Sequence, residues 1–226
     1  MGKRSFYDLL SEGYDSRYSD SLNQKMRNEE EKVLMNLPVG LTLDIGCGTG
    51  YHSRILKNNG HRVVSADISF EMVKKAKNNK NGDFFIVADM EKLPFKNGTF
   101  DNIISIFGAL NHANINNFKI SLDECLKKDG YIVLTVGNIY NIFWLIKSLK
   151  QGRNPLRAIK KRKGKISVYL GEKKMSVRIR YYSLRELEIV FSDYSLKIGS
   201  LYPKLMFLPI INNFGRYIAL VGRKSL

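Results

Sequence analysis

Leu41-Thr42-Leu43-Asp44-Ile45-Gly46-Cys47-Gly48-Thr49-Gly50 is an apolar run that ends on an acid and turns at once into three glycines at alternate positions. A short, nearly continuous apolar run fits a parallel strand buried on both faces. Glycines at 46, 48 and 50 allow positive φ and let a ligand approach the main chain. A helix is expected from Tyr51, so its N-terminus faces the same ligand.

Outward from this loop, strands and helices alternate. Strands are expected at 41–45, 62–66, 83–88, 101–106 and 131–136, and helices at 51–58, 70–78 and 118–127. Upstream, Met26, Val33, Leu34 and Leu37 fit a helix that stops before Pro38. The alternation predicts an α/β fold with a parallel, doubly wound sheet. The pattern breaks after Gly137. An apolar stretch at 139–149 holds Trp144, and 166–170 and 175–181 read as a hairpin about Gly171-Glu172-Lys173-Lys174. A helix at 184–191 and closing strands at 194–201 and 216–221 follow, the last two joined by a loop with Pro203 and Pro209. The expected division is 1–37 as an N-terminal segment, 38–138 as the core, 139–181 as an inserted lid, and 182–226 returning to the core.

Asp67 ends the second strand, 21 positions after Gly46, where a carboxylate can accept hydrogen bonds from a ribose. A phosphate-binding P-loop would close on Gly-Lys-Ser/Thr, whereas this loop closes on Gly50-Tyr51-His52. A dinucleotide loop would space its third glycine one residue later and avoid the bulk of Tyr51. What remains is a nucleoside cofactor without pyrophosphate, with Asp44 at the head of the loop.

The segment Asp44 to Gly50 resembles motif I of the class I S-adenosylmethionine-dependent methyltransferases. Ser65-Ala66-Asp67-Ile68-Ser69 with Met72, the run Val87 to Phe95 before Phe100-Asp101, Ile104 to His112, and Leu126-Lys127-Lys128-Asp129-Gly130-Tyr131 are similar to that family's later motifs, in order. Tyr182 to Leu187 adds a further similar segment. The resemblance is to a type 11-like methyltransferase domain. It implies a Rossmann-like, mainly parallel seven-stranded sheet, S-adenosyl-L-methionine as cofactor and S-adenosyl-L-homocysteine as product. It further implies that Gly46, Gly48 and Gly50, with the small Cys47 between them, line the methionine part. Asp44 would order the loop and approach the cofactor's amino group, and Asp67 would hold the ribose hydroxyls. Ile68 and Met72 would flank adenine, Asp89 would accept from its amino group with Met90 alongside, and Phe107 would lie near the methyl. Tyr14 and Tyr18 resemble tyrosines that close over the cofactor, and read equally as ordinary helix-face residues.

A base is needed only where the acceptor must lose a proton. His112, just past the fourth strand, is the candidate, with a structural imidazole as the alternative reading. His52 is a weaker one, and His61 reads as surface. No metal cluster is expected from two cysteines, and Cys125 falls on an apolar helix position.

The acceptor is to be sought in the charge distribution. The net charge is +16, yet residues 1–138 hold 18 Lys and Arg against 17 Asp and Glu, while 139–226 hold 19 against 4. Nine of these cations lie in 147–165 with no acid among them. With Tyr169, Tyr181 and Tyr182 nearby they could bind RNA, as in a tRNA methyltransferase. The apolar stretch beside them could equally meet an anionic surface or a lipidic or quinone-like acceptor. A small-molecule acceptor under a merely solvated lid, and a non-catalytic cofactor-binding module, remain open. No secretory leader or transmembrane segment is expected, and the cysteine usage fits a reducing cytoplasm.

Overall fold

The structure, a computed structural model, describes residues 2–152, 154–200 and 214–225. The strands are β1 (Leu41–Ile45), β2 (Arg62–Asp67), β3 (Phe84–Val87), β4 (Phe100–Ser105), β5 (Leu126–Gly137), β6 (Lys163–Leu170), β7 (Lys173–Arg180), β8 (Tyr194–Ser200) and β9 (Tyr217–Lys224). Seven of them form one sheet in the order β3-β2-β1-β4-β5-β9-β8. β1 to β5 pair in parallel; β9 is antiparallel to both β5 and β8. The strand order reverses between β1 and β4, so the loops leaving these two strands open a crevice at the carboxyl edge, where ligands of such sheets bind.

Alternate residues of each central strand enter different layers. Ile103, Ile132 and Leu134 pack with Phe118, Leu122 and Leu187 on one face. Ile104 and Val133 pack with Leu34, Leu37 and Leu56 on the other. That period of two, with both faces covered, is why the strands read as continuous apolar runs.

The helices are α1 (Lys3–Leu10), α2 (Tyr14–Arg17), α3 (Ser21–Leu34), α4 (Tyr51–Asn58), α5 (Phe70–Asn78), α6 (Ile115–Cys125), α7 (Ile142–Lys150), α8 (Pro155–Lys161) and α9 (Leu184–Val190). α3 begins where the Asp20 carboxylate accepts from the Leu22 and Asn23 amides, both at 3.0 Å, and ends before Pro38 as expected. α6 starts three residues earlier than its apolar pattern suggests, because Asn114 caps it by accepting from Asn116 N at 3.0 Å. α8 was hidden in the charge run. Asn154 accepts from Leu156 N at 2.9 Å, and Pro155 opens the helix. Pro203, Pro209 and Leu201, assigned above to the closing loop and strand, lie outside the described residues.

The hairpin β6–β7 is separate from the main sheet and longer than expected, with a two-residue turn at Gly171-Glu172. Met175 and Val177 of β7 pack against Phe6 and Leu10 of α1. The N-terminal segment and the insertion therefore meet over the crevice and share a small apolar core.

Candidate active site

The crevice is a cavity of about 670 Å3, bounded by the glycine loop, the ends of β2 and β4, the N-terminal tyrosines and the hairpin. Gly46 takes φ +72°, and a Cβ there would strike Ala109. Gly50 takes φ +87°, and a Cβ there would come within 2.6 Å of Asn81. A side chain at either position would be strained and would push the loop out of place.

Asp44 does not line the cavity. It is buried behind the loop, where it accepts a 2.6 Å hydrogen bond from Ser53 Oγ at the start of α4. Burial raises its pKa, against the pull of His52 and Ser53. Asp67 lines the cavity, accepting from Gly48 N at 2.9 Å and from Ser69 N at 2.9 Å. Burial pushes its carboxyl up to about 6, though these two amides oppose the shift.

Cys47, Gly48, Ile68, Met72, Asp89 and Met90 also line the cavity. Burial holds the Cys47 thiol well above its ordinary pKa, so it is a packing residue rather than a nucleophile. Tyr14 and Tyr18 stand 4.9 Å apart by ring centroids, with Tyr14 across from Gly48 and Tyr18 edge-on to Phe107 at 5.0 Å. Thr49 Oγ1 donates to Asp15 at 2.7 Å, tying α2 to the loop.

Phe107 and Gly108 take consecutive left-handed φ values of 62° and 76°. For a bulky side chain that conformation is strained. It turns Phe107 into the cavity between Tyr18 and Tyr217. The next turn carries two residues that bond to the hairpin and to α1. Asn111 accepts from Gly137 N at 2.9 Å and donates to the Arg180 carbonyl, joining β5 to the end of the hairpin. His112 Nε2 lies 2.7 Å from the Tyr7 hydroxyl.

Burial, then the nearby Lys3 charge, brings His112 down to about 4, and a backbone interaction with Arg178 offsets this only in part. Burial drives the Tyr7 pKa far up. At neutral pH the ring is therefore neutral and the hydroxyl protonated, and in the Nδ1–H tautomer Tyr7 donates to Nε2. His52 is committed elsewhere, 3.1 Å from the buried carboxylate of Glu30. His61 corrects the sequence reading: it is 4 % exposed, with Nδ1 2.8 Å from Thr42 Oγ1.

Four features escaped the sequence. Tyr7 lies in the N-terminal segment, with no motif around it to mark it. Asn111 lay inside a recognised motif without a role. Arg27, 4.2 Å over the Tyr51 ring, and Arg216 both line the cavity. Of the basic stretch, Lys147 reaches the cavity mouth and Arg162 pairs with Glu186. Lys150, Lys160, Lys163 and Lys165 are exposed. Among the described residues no set of His, Cys, Asp and Glu could hold a metal ion, and no helix is long and apolar enough to cross a membrane.

A family model described as a methyltransferase domain matches residues 43–134. The chain is 38 % identical to the uncharacterized protein MJ1252 of Methanocaldococcus jannaschii, over 99 % of this chain and 91 % of that protein. It is 48 % identical to a malonyl-[acyl-carrier protein] O-methyltransferase of Hamiltonella defensa, but over 26 % of this chain and 23 % of that protein. The fold is similar to that in a DhpI–SAH complex, with a TM-score of 0.70 and 16 % identity, covering 99 % of this chain and 95 % of the other.

Proposed function

This chain belongs to the class I S-adenosylmethionine-dependent methyltransferases, and on that premise we propose that it methylates a small molecule enclosed beneath the hairpin. The observation that carries the proposal is the continuity of the cavity. One end is the glycine loop and Asp67; the other is walled by Tyr7, His112, Trp144, Ile179 and Tyr181.

The cofactor end fits a nucleoside joined to an amino acid. Ionised Asp67 accepts from the ribose hydroxyls, between Ile68 and Met72 on the adenine side and the backbone of Gly46, Gly48 and Gly50 on the methionine side. Cys47 supplies small bulk there. Asp44 acts through Ser53 by holding the loop to α4. Asp89, next to Met90, accepts from the adenine amino group. Arg27, beside Tyr51, is the cation at the glycine-loop end and suits a carboxylate. Tyr14 and Tyr18 exclude water from above, and Phe107 fills the space by the reacting methyl. S-adenosylmethionine supplies an activated methyl on a sulfonium, so the protein's task is alignment and desolvation.

Where the acceptor is a hydroxyl or a protonated amine, its proton passes to the Tyr7 oxygen as Tyr7 gives its own proton to Nε2 of neutral, buried His112. In this reading 1–37 and 139–181 close over the site formed by 38–138, and 182–226 completes the sheet. Two free, buried cysteines fit a reducing cytoplasm.

Methyl transfer from labelled cofactor to a cell extract, split into small-molecule, RNA, lipid and protein fractions, tests the proposal. Label is expected in the small-molecule fraction. Label in RNA would turn attention to the exposed lysines of the lid, and label in lipid to the apolar face of α7.

A further inference from the structure

The cavity holds four polar side-chain groups that make no hydrogen bond or ion pair with any other described residue. Arg216 lines the cavity, and its guanidinium makes no hydrogen bond or ion pair with any described residue. Its backbone is fixed, because Asn138 N donates to the Arg216 carbonyl at 3.1 Å, while Asn138 Nδ2 donates to the neighbouring Gly215 carbonyl at 2.9 Å. The Tyr18, Tyr181 and Tyr217 hydroxyls all lie close enough to Arg216 to feel its charge. None of the three makes a hydrogen bond with another described residue.

Of the other charges, Lys147 on α7 also lines the cavity but is exposed at its mouth. The acids lining the cavity are Asp67 and Asp89, both at the cofactor end. Glu30 lies near Tyr217, but its carboxylate meets His52. Lys3 pairs with Glu91 at 3.1 Å, and Arg27 stacks on Tyr51. Arg216, Tyr18, Tyr181 and Tyr217 are half-buried, so water reaches them in the free cavity, and an anionic ligand that displaces this water would pair with the guanidinium.

We propose that the methyl acceptor is an organic carboxylate with an apolar body, its carboxylate received by Arg216 and the hydroxyls of Tyr18, Tyr181 and Tyr217. One planar guanidinium with neutral donors matches a monoanion in a two-oxygen plane better than a doubly charged phosphate. Trp144, Phe143, Ile166 and Ile179 provide apolar walls for the body. The carboxylate is an anchor, which leaves the nucleophilic atom to the Tyr7–His112 side. The inference rests on the methyltransferase reading above.

Calorimetry with the S-adenosylhomocysteine-loaded protein tests it, using 4-phenylbutyrate and its uncharged isostere 4-phenylbutyramide as probes. The acid is expected to bind at least about tenfold tighter than the amide, a difference of about 1.4 kcal/mol. Arg216→Gln should abolish that preference while holding S-adenosylhomocysteine affinity within about twofold, which also shows that the variant is folded. Equal binding of acid and amide, binding of neither, or a preference that survives in Arg216→Gln would overturn the proposal. So would a large loss of S-adenosylhomocysteine affinity in the variant, which would assign Arg216 to the cofactor. Failure of the wild-type protein to bind S-adenosylhomocysteine at all would instead sink the methyl-donor reading, and this inference with it.

Discussion

Two ionisable side chains in the cleft are displaced from their ordinary pKa values in opposite senses, and each gives a prediction. Asp67 is raised to about 6 by burial, and in its proposed role only the ionised form would accept from both ribose hydroxyls. Affinity for S-adenosylhomocysteine should therefore be flat above about pH 7 and fall by up to about tenfold per unit below about pH 6. The same shift sets the sign for stability without ligand. The folded state holds the Asp67 proton more tightly than the unfolded chain, so this group's contribution is greatest below the unfolded pKa and is lost as pH rises through about 6. Titration calorimetry from pH 5 to 8 (about the range such proteins tolerate) checks the binding limb, and pH-independent affinity would remove Asp67 from the ribose. For His112, lowered to about 4, the ring carbons should titrate far below the ordinary histidine range by NMR. Tyr7→Phe removes a donor that stabilises the neutral ring, so the midpoint should move up. An unchanged midpoint would mean that the 2.7 Å contact does not orient the base.

Among the elements, Asn111 ties the end of the hairpin to β5. Asn111 satisfies one backbone group on β5 and one on β7, so Asn111→Ala strands both, at a cost of about 2 kcal/mol. Urea unfolding measures this, and Asn111→Asp should restore the bond from Gly137 N while losing the one to Arg180. On α7, by contrast, Phe143, Ile146 and Leu149 are exposed, the last by 62 %. Leu149→Ser should change stability by less than about 0.5 kcal/mol. Leu134→Ala in the fully buried centre of β5 should cost about 3 kcal/mol.

The same contrast explains what the sequence makes legible. β1, β2, β4 and α5 announce themselves because their apolar periods, caps and glycines agree. α8 and the first residues of β6 are masked by lysines, whose outward alternation carries no apolar signal. His61 reads as surface because a polar residue before a strand gives no hint that Thr42 on the neighbouring strand will bury it. Tyr7 and Arg216 reach the cavity from the two ends of the chain, and such long-range meetings leave no local pattern.

For the whole molecule, the proposed function has the sheet supply the methyl-donor end and the added segments the acceptor end. The core motifs lie between 41 and 137 and form the crevice between β1 and β4. The positive charge falls almost entirely after 138; Arg216 and Lys147 line the cavity, while Lys160, Lys163, Lys165 and Lys174 are exposed. The central claim is that the loop at 46–50, with Asp67 beside it, receives S-adenosylmethionine rather than a dinucleotide. Calorimetric titration of the wild-type protein and Asp67→Asn with S-adenosylhomocysteine, with NAD as the control, tests it most directly. The account predicts one molecule of S-adenosylhomocysteine per chain, an affinity about 10- to 100-fold weaker in Asp67→Asn from losing charge-assisted hydrogen bonds, and no heat with NAD. Undiminished affinity in the variant, or NAD binding in place of S-adenosylhomocysteine, would contradict it.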